Sequence, residues 1–210
     1  VLVDPQALMR ATGVPHAINH YSPSWDGRTL AYGISAGGSE NASLHLLDIA
    51  SGRSLGPPVP RVMEAARWTP DSRHLAYNQL RDLPKGAPGT ETYLDTTVFL
   101  LDRERPAAPP RPLFGPLVAP SLGLDRLDVG EVRFTPDSRW MLARTTDTTA
   151  REGKLFVAPV SALKGGSIAW RAISTASDKI TDVDWRGDTL YLRTYAGAPR
   201  GRVLMLPLTD

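Results

Sequence analysis

The chain has 210 residues and a mass of 22.8 kDa, long enough for one large or two small domains with a proper core, and its 41% hydrophobic and 22% charged residues exclude a disordered protein. The absence of cysteine excludes disulfides, thiolate metal sites and cysteine nucleophiles. No stretch approaches the ~18 apolar residues of a membrane span, and the net charge of +2 is scattered along the chain rather than gathered into the basic, aromatic-interleaved face that nucleic acid requires.

In chain order, the first residues lack the basic start and long apolar run of a signal peptide. With the absence of cysteine, this gives the expectation of a cytoplasmic location, the periplasm remaining open. Val1-Leu2-Val3 reads as an orphan outer strand, within residues 1–5, with no sheet of its own. Pro15 and a strand-like pattern argue against a helix over His16–His20. A phrase then begins that recurs down the chain. It runs Tyr21-Ser22-Pro23-Ser24-Trp25-Asp26-Gly27, returns as Trp68-Thr69-Pro70-Asp71-Ser72 and as Phe134-Thr135-Pro136-Asp137-Ser138, and ends in a worn form, Trp185-Arg186-Gly187-Asp188. The copies begin their turns at Asp26, Asp71, Asp137 and Arg186, spaced by 45, 66 and 49 residues. The long interval carries proline- and glycine-rich stretches at 81–92 and 106–120.

The phrase predicts a hairpin. An aromatic residue ends one strand, Pro, Asp and Gly or Ser make a tight turn, and a second strand follows with alternating apolar residues such as Leu30 and Tyr32 or Leu75 and Tyr77. A third apolar run follows each hairpin, at 43–49, 97–102, 155–160 and 203–208. Fourth strands are expected at 54–55, 112–114 and 169–173. Four antiparallel strands at a repeat of 40–50 residues is the β-propeller unit. The fold expected is therefore all-β, a propeller of about four four-stranded blades over 16–60, 61–120, 128–175 and 178–210. The last repeat lacks a fourth strand at Asp210. The first strand could close a four-bladed ring, but a piece cut from a larger propeller accounts better for the spacing, because terminal blades otherwise need capping.

Candidate chemistry is sparse. Gly33-Ile34-Ser35-Ala36-Gly37 satisfies the G-x-S-x-G of a hydrolase nucleophile elbow, which needs a strand turning sharply into a helix. Here the β-like run 43–49 follows, and the downstream histidines, His45 and His74, fall in expected strands. Ser35 therefore reads as part of a blade hairpin. His16, His20, His45 and His74 have no metal-ligand spacing. The Asp178–Asp184 run lacks the Gly and closing Glu of a calcium loop. Asn41-Ala42-Ser43 is a formal glycosylation sequon without a secretory signal to make it relevant. Trp25, Trp68, Phe134 and Trp185 share one place in the repeat and are expected to pack between blades. No catalytic, cofactor-binding or metal-binding residue is assigned, and no cofactor is expected.

The opening Val1-Leu2-Val3-Asp4-Pro5-Gln6-Ala7-Leu8 resembles the prolyl oligopeptidase family of serine peptidases, as does the hairpin from Ser24 through Ser35 to Gly38-Ser39-Glu40. Gly89-Thr90-Glu91-Thr92 with Thr97–Leu100 falls where that family has a glycine-rich loop entering a strand. Asp188-Thr189-Leu190 and Ala196-Gly197-Ala198-Pro199 match bacterial members. Glu40-Asn41 departs from the family's usual Asp-Trp, which leaves the subfamily open. The resemblance implies peptidases that cut short peptides, typically after proline. An α/β-hydrolase domain carries the Ser-Asp-His triad, and a seven-bladed propeller covers it and excludes folded proteins.

On this resemblance the chain corresponds to roughly four of those blades and contains no triad residue. The family's propeller lends side chains to the substrate cleft. The aligned positions here are Met63, Val129 and Thr149, whose residue types do not match, so no role is carried over. The expected function is the substrate-gating propeller portion of such a peptidase, not catalytic by itself. The expected partners are the hydrolase domain, short peptides and, through open blade edges, further copies of the chain. The alternative is a stand-alone propeller that scaffolds other proteins.

Overall fold

The computed structural model describes residues 1–39, 41–146 and 152–208. It opens with a helix, α1 (Pro5–Thr12), rather than with a strand. Asp4 caps it by accepting the Gln6 N–H at 2.9 Å, Pro5 fills the first turn where no N–H is needed, and Gly13 ends it at φ 75. The orphan strand expected at 1–5 is thereby corrected. The Asp-Pro step is a helix start, and Val1–Val3 enter no sheet.

Four antiparallel sheets follow in chain order. The first contains β1 (His16–Pro23), β2 (Thr29–Ala36), β3 (Ala42–Asp48) and β4 (Val59–Val62). The second contains β5 (Arg67–Trp68), β6 (His74–Gln79), β7 (Thr97–Asp102) and β8 (Arg111–Phe114). These two are joined where Val62 of β4 meets Gln79 of β6. The third contains β9 (Val129–Phe134), β10 (Trp140–Thr146), β11 (Gly153–Pro159) and β12 (Arg171–Ser174). The fourth contains β13 (Ile180–Arg186), β14 (Thr189–Thr194) and β15 (Arg202–Pro207). Within each sheet, sequence neighbours are spatial neighbours, as in a propeller blade. The fourth strand of the first sheet is displaced from its expected place at 54–55. Ser54 makes only a bridge to Leu47, and pairing resumes at β4. Gly56 at φ 79 and the prolines at 57 and 58, which have no N–H to donate, interrupt the ladder between them.

The recurring phrase folds the same way three times. Ser24, Thr69 and Thr135 each place a hydroxyl 2.6 Å from the carboxylate two residues on, at Asp26, Asp71 and Asp137. The same hydroxyls accept the N–H of Thr29, His74 and Trp140 at 3.0, 2.9 and 2.9 Å. Each carboxylate also accepts the N–H of the following Arg28, Arg73 or Arg139. The residue between, Gly27, Ser72 or Ser138, sits left-handed at φ 67, 59 or 60. Strand pairing shows that Pro23 stands where Trp68 and Phe134 stand, opposite Leu30, Leu75 and Met141. Trp25 instead occupies the turn position of Pro70 and Pro136 and is 62% exposed, which corrects its expected place between blades. The fourth turn is shorter. Arg186 pairs with Thr189, leaving Gly187 at φ 53 and Asp188 as the loop.

Side chains alternate between the two faces of each sheet, and three cores fill the three spaces between successive sheets. Ala31, Leu44 and Leu46 meet Trp68, Leu75 and Tyr77 between the first and second. Phe114 packs on Phe156 and Trp170 between the second and third, with ring centroids 5.5 and 5.2 Å apart. Trp140, Leu155 and Val157 meet Ile180, Leu190 and Leu192 between the third and fourth, where Trp185 is partly buried. Indole N–H groups tie the sheets together as well. Trp68 donates to the Ser22 carbonyl at 3.0 Å, and Trp140 donates to Asp188 at 3.1 Å.

Candidate functional site at the inner edge

The first strand of each sheet (β1, β5, β9, β13) runs toward the end of the molecule that carries the Ser/Thr-x-Asp turns. The connections between sheets, 63–66, 115–128 and 175–179, lie at the opposite end. A charged depression of about 170 Å³ opens there, lined by Glu64, Arg67, Glu131, Arg133, Arg144 and Thr146 together with Val129 and Gly130. Its residues come from strand alternation. In β9, Val132 and Phe134 enter the core toward the second sheet, which turns Glu131 and Arg133 to the other side. In β5, Trp68 is buried toward the first sheet, which turns Arg67 toward β9.

Glu131 is the hub. Its two carboxylate oxygens accept from Arg67 Nε at 2.6 Å and from Arg133 Nε at 3.0 Å, so β5 and β9 are tied by an ion pair across the inner edge. Burial by itself would raise the Glu131 pKa, but the hydrogen bonds and charges of Arg133 and Arg67 outweigh it and hold the carboxyl below its ordinary value. Glu64 is shifted the other way. Its carboxyl reaches solvent at the rim, yet crowding protein atoms desolvate it and the Glu131 charge repels its own, so its pKa is raised. Arg144 donates to the Thr181 carbonyl at 3.4 Å and so links the third sheet to β13. A second ion cluster stiffens the same end. Asp95, buried and left-handed at φ 57, accepts from Arg126 at 2.8 Å and Arg81 at 3.3 Å, and its own N–H donates to the Arg126 carbonyl at 2.7 Å. Lys154 pairs with the buried Asp128 at 2.6 Å.

The whole of residues 1–210 matches the family model described as the N-terminal β-propeller domain of prolyl oligopeptidase. The chain belongs to that family. Among solved structures, this propeller superposes on one of two prolyl endopeptidases whose inter-domain dynamics have been related to catalysis and specificity, with a TM-score of 0.76 and 22% identity, covering 100% of this chain and 28% of the other. It also superposes on prolyl oligopeptidase B from Galerina marginata bound to a 25-residue macrocyclization substrate, with a TM-score of 0.74 and 17% identity, covering 99% and 29%. The same enzyme bound to a 35-residue substrate gives 0.76 and 16%, with the same coverage. At these identities the likeness is one of fold. The propeller spans less than a third of the enzymes it resembles.

The propeller's sequence candidates are dispersed. Ser35 is buried within β2 opposite Ala17, and β2 turns through Gly37 and Gly38 toward β3 rather than into a helix. His45 stacks on Tyr32 with centroids 5.1 Å apart, His16 bonds the Val14 carbonyl at 2.7 Å, and His20 packs over Gly33 with a buried Nε2 that has no hydrogen-bond partner among the described residues. His74 lies on β6 at the turn end. Asp178–Asp184 divides between a 3-10 turn, where Asp178 takes part in a capping box with Thr175, and strand β13. Among the described residues no three His, Asp or Glu side chains are grouped to hold a metal, and no helix is long and apolar enough to cross a membrane. In the sequon, Asn41 is exposed and Ala42 and Ser43 belong to β3.

Of the positions aligned with the family's cleft, Met63 immediately precedes Glu64, and Val129 lines the charged depression. Thr149, like Glu40, lies outside the described residues. Sequence reading missed Glu64, Arg67, Glu131, Arg133 and Arg144. The signal was present in the Glu131-Val132-Arg133 alternation on a blade's first strand.

Proposed function

We propose that residues 1–210 form one propeller unit of four blades, the substrate-gating portion of a prolyl-oligopeptidase-type serine peptidase that hydrolyses short peptides and whose triad resides on a separate α/β-hydrolase domain. The observation that carries this reading is spatial. Within a chain that matches the family's propeller model over its whole length, the first strands β5 and β9 set a charged depression at the connection end, between Glu64, Arg67, Glu131 and Arg133. In this reading that end faces the hydrolase domain. Leu117, Leu127 and Tyr195, which are 70%, 44% and 40% exposed at the same end, supply apolar surface for the domain contact. The mechanism is steric and electrostatic. Blades locked by ion pairs keep folded proteins from the buried chemistry, while the inner-edge charges orient extended peptides that pass.

The fourth sheet supports the same reading. Its outer face exposes Tyr191, Val203 and Met205, and in the isolated polypeptide this face and the free edge of β15 drive self-association. The test compares this polypeptide with the product of its complete reading frame on a short proline-containing chromogenic peptide. The reading expects turnover only from the complete product. Turnover by residues 1–210 alone, abolished by Ser35→Ala, would overturn it.

A further inference from the structure

A second cavity lies away from the inner edge. It is a cleft of about 540 Å³ at the turn end, between the second and third sheets. That volume is within the range of small-molecule sites. Leu100 of β7, Ala108 and Pro109 of the loop before β8, and Val160 and Leu163 of a 3-10 turn (Val160–Lys164) give it apolar walls. Arg111, at the start of β8, holds one wall in place, because its guanidinium donates to the carbonyls of Leu163, Gly165 and Gly166.

The charge arithmetic of the cleft does not close. Its two carboxylates are already committed to protein donors. Asp71 accepts from the Thr69 hydroxyl at 2.6 Å and the Arg73 N–H at 3.0 Å, while Asp102 accepts from Arg105 at 3.0 Å and the Glu104 N–H at 2.9 Å. The half-buried Arg111 donates only to neutral carbonyls, and among the described residues neither it nor the neighbouring Lys164 has a carboxylate within ion-pair distance. Two positive charges without counter-ions therefore border an apolar cleft. The carbonyls satisfy the Arg111 donors but do not cancel its charge, and the exposed Lys164 ammonium beside it keeps its donors open toward the cleft mouth. A carboxylate can take hydrogen bonds from that ammonium while the fixed Arg111 charge adds to the attraction.

We infer that this cleft binds an amphipathic monoanion, a carboxylate carried on an aliphatic or aromatic body. The body covers Leu100, Val160 and Leu163, and the carboxylate meets the Lys164 ammonium beside the Arg111 charge. The site is independent of the inner-edge reading, because it lies at the opposite end and shares no residue with it.

His74 lines the cleft and provides a local reporter, since the chain has only four histidines. 4-Phenylbutyrate is titrated into residues 1–210 at constant pH, and the imidazole proton resonances are followed by NMR. The proposal expects a saturable shift at His74 alone and at least tenfold weaker binding of 4-phenylbutan-1-ol. It also expects at least tenfold weaker binding of the acid to Lys164→Glu, a surface variant with an unchanged melting temperature. A silent His74 at millimolar acid, equal binding of acid and alcohol, an unaffected Lys164→Glu variant, or shifts at all four histidines would each overturn it.

Discussion

The two ends of the blades are built on different principles. The turn end repeats one local device, a Ser or Thr hydroxyl shared between a carboxylate and a strand N–H, three times in nearly the same geometry. The connection end repeats nothing. Its order comes from long-range ion pairs that differ from one sheet to the next, Arg67 with Glu131, Asp95 with Arg126 and Lys154 with Asp128. Repetition marks the scaffold, because every blade must solve the same hairpin problem. Departure from repetition marks the place where one surface is specialised.

The largest effect calibrates both ends against their common support. Phe114 is fully buried and packs on Phe156 and Trp170. Phe114→Ala is expected to cost about 3–5 kcal/mol, read as the shift in urea unfolding. A loss below about 1 kcal/mol would mean that the sheets are not held by this core. Next comes the repeated device. Thr135→Val keeps the shape of the side chain but leaves the buried Trp140 N–H without its 2.9 Å acceptor, at an expected cost of about 1–3 kcal/mol. The same substitution at Thr69 should cost a similar amount, and a large disparity would break the claim that the turns are equivalent.

The repeated turns were legible in the sequence because their chemistry is local. Thr135, Asp137 and the strand N–H they serve lie within five residues of one another. The third strands were legible for the same reason, and β7 occupies its expected residues. What escaped were features set by distant neighbours. Trp25 looked like Trp68, but strand register, which no local window contains, assigns that place to Pro23. Val1–Val3 looked like a strand because three apolar residues stand together, whereas the structure starts a helix at the Asp4-Pro5 step that follows them. The inner-edge site was unread because Arg67 and Glu131 are 64 residues apart in sequence, and only the packing of β5 beside β9 brings them together.

Titration separates the two ends by sign. At the turn end the Thr135 hydroxyl, together with Arg139, holds Asp137 at about 2 against an ordinary 3.8. Its contribution is therefore complete above pH 3.8 and is lost as pH falls toward 2. Asp137→Asn should destabilise at neutral pH by under about 1 kcal/mol, the carboxylate being near the surface, and should converge with the parent chain near pH 2. Glu64 at the connection end is raised, chiefly by desolvation and then by Glu131. Its ionisation therefore costs stability as pH rises through its folded value, and Glu64→Gln should be slightly more stable than the parent at pH 7 and no different at pH 3. Opposite signs in paired pH-dependent melts would support the contrast, and equal signs would refute it.

The smallest effect separates two turns of the same kind. Ser138 is exposed and left-handed, so Ser138→Gly should stabilise by a few tenths of a kcal/mol. Ser72 has the same backbone but is buried, and its hydroxyl accepts the Asp26 N–H at 2.9 Å, so Ser72→Gly should destabilise.

The most direct measurement of the functional account uses the full-length product with Arg67→Gln and Arg133→Gln combined, comparing kcat/KM for a long and a short proline-containing peptide. The account predicts a loss confined largely to the long peptide, whose chain must pass the inner edge, with the short substrate turned over as before. An unchanged ratio between the two peptides would contradict it.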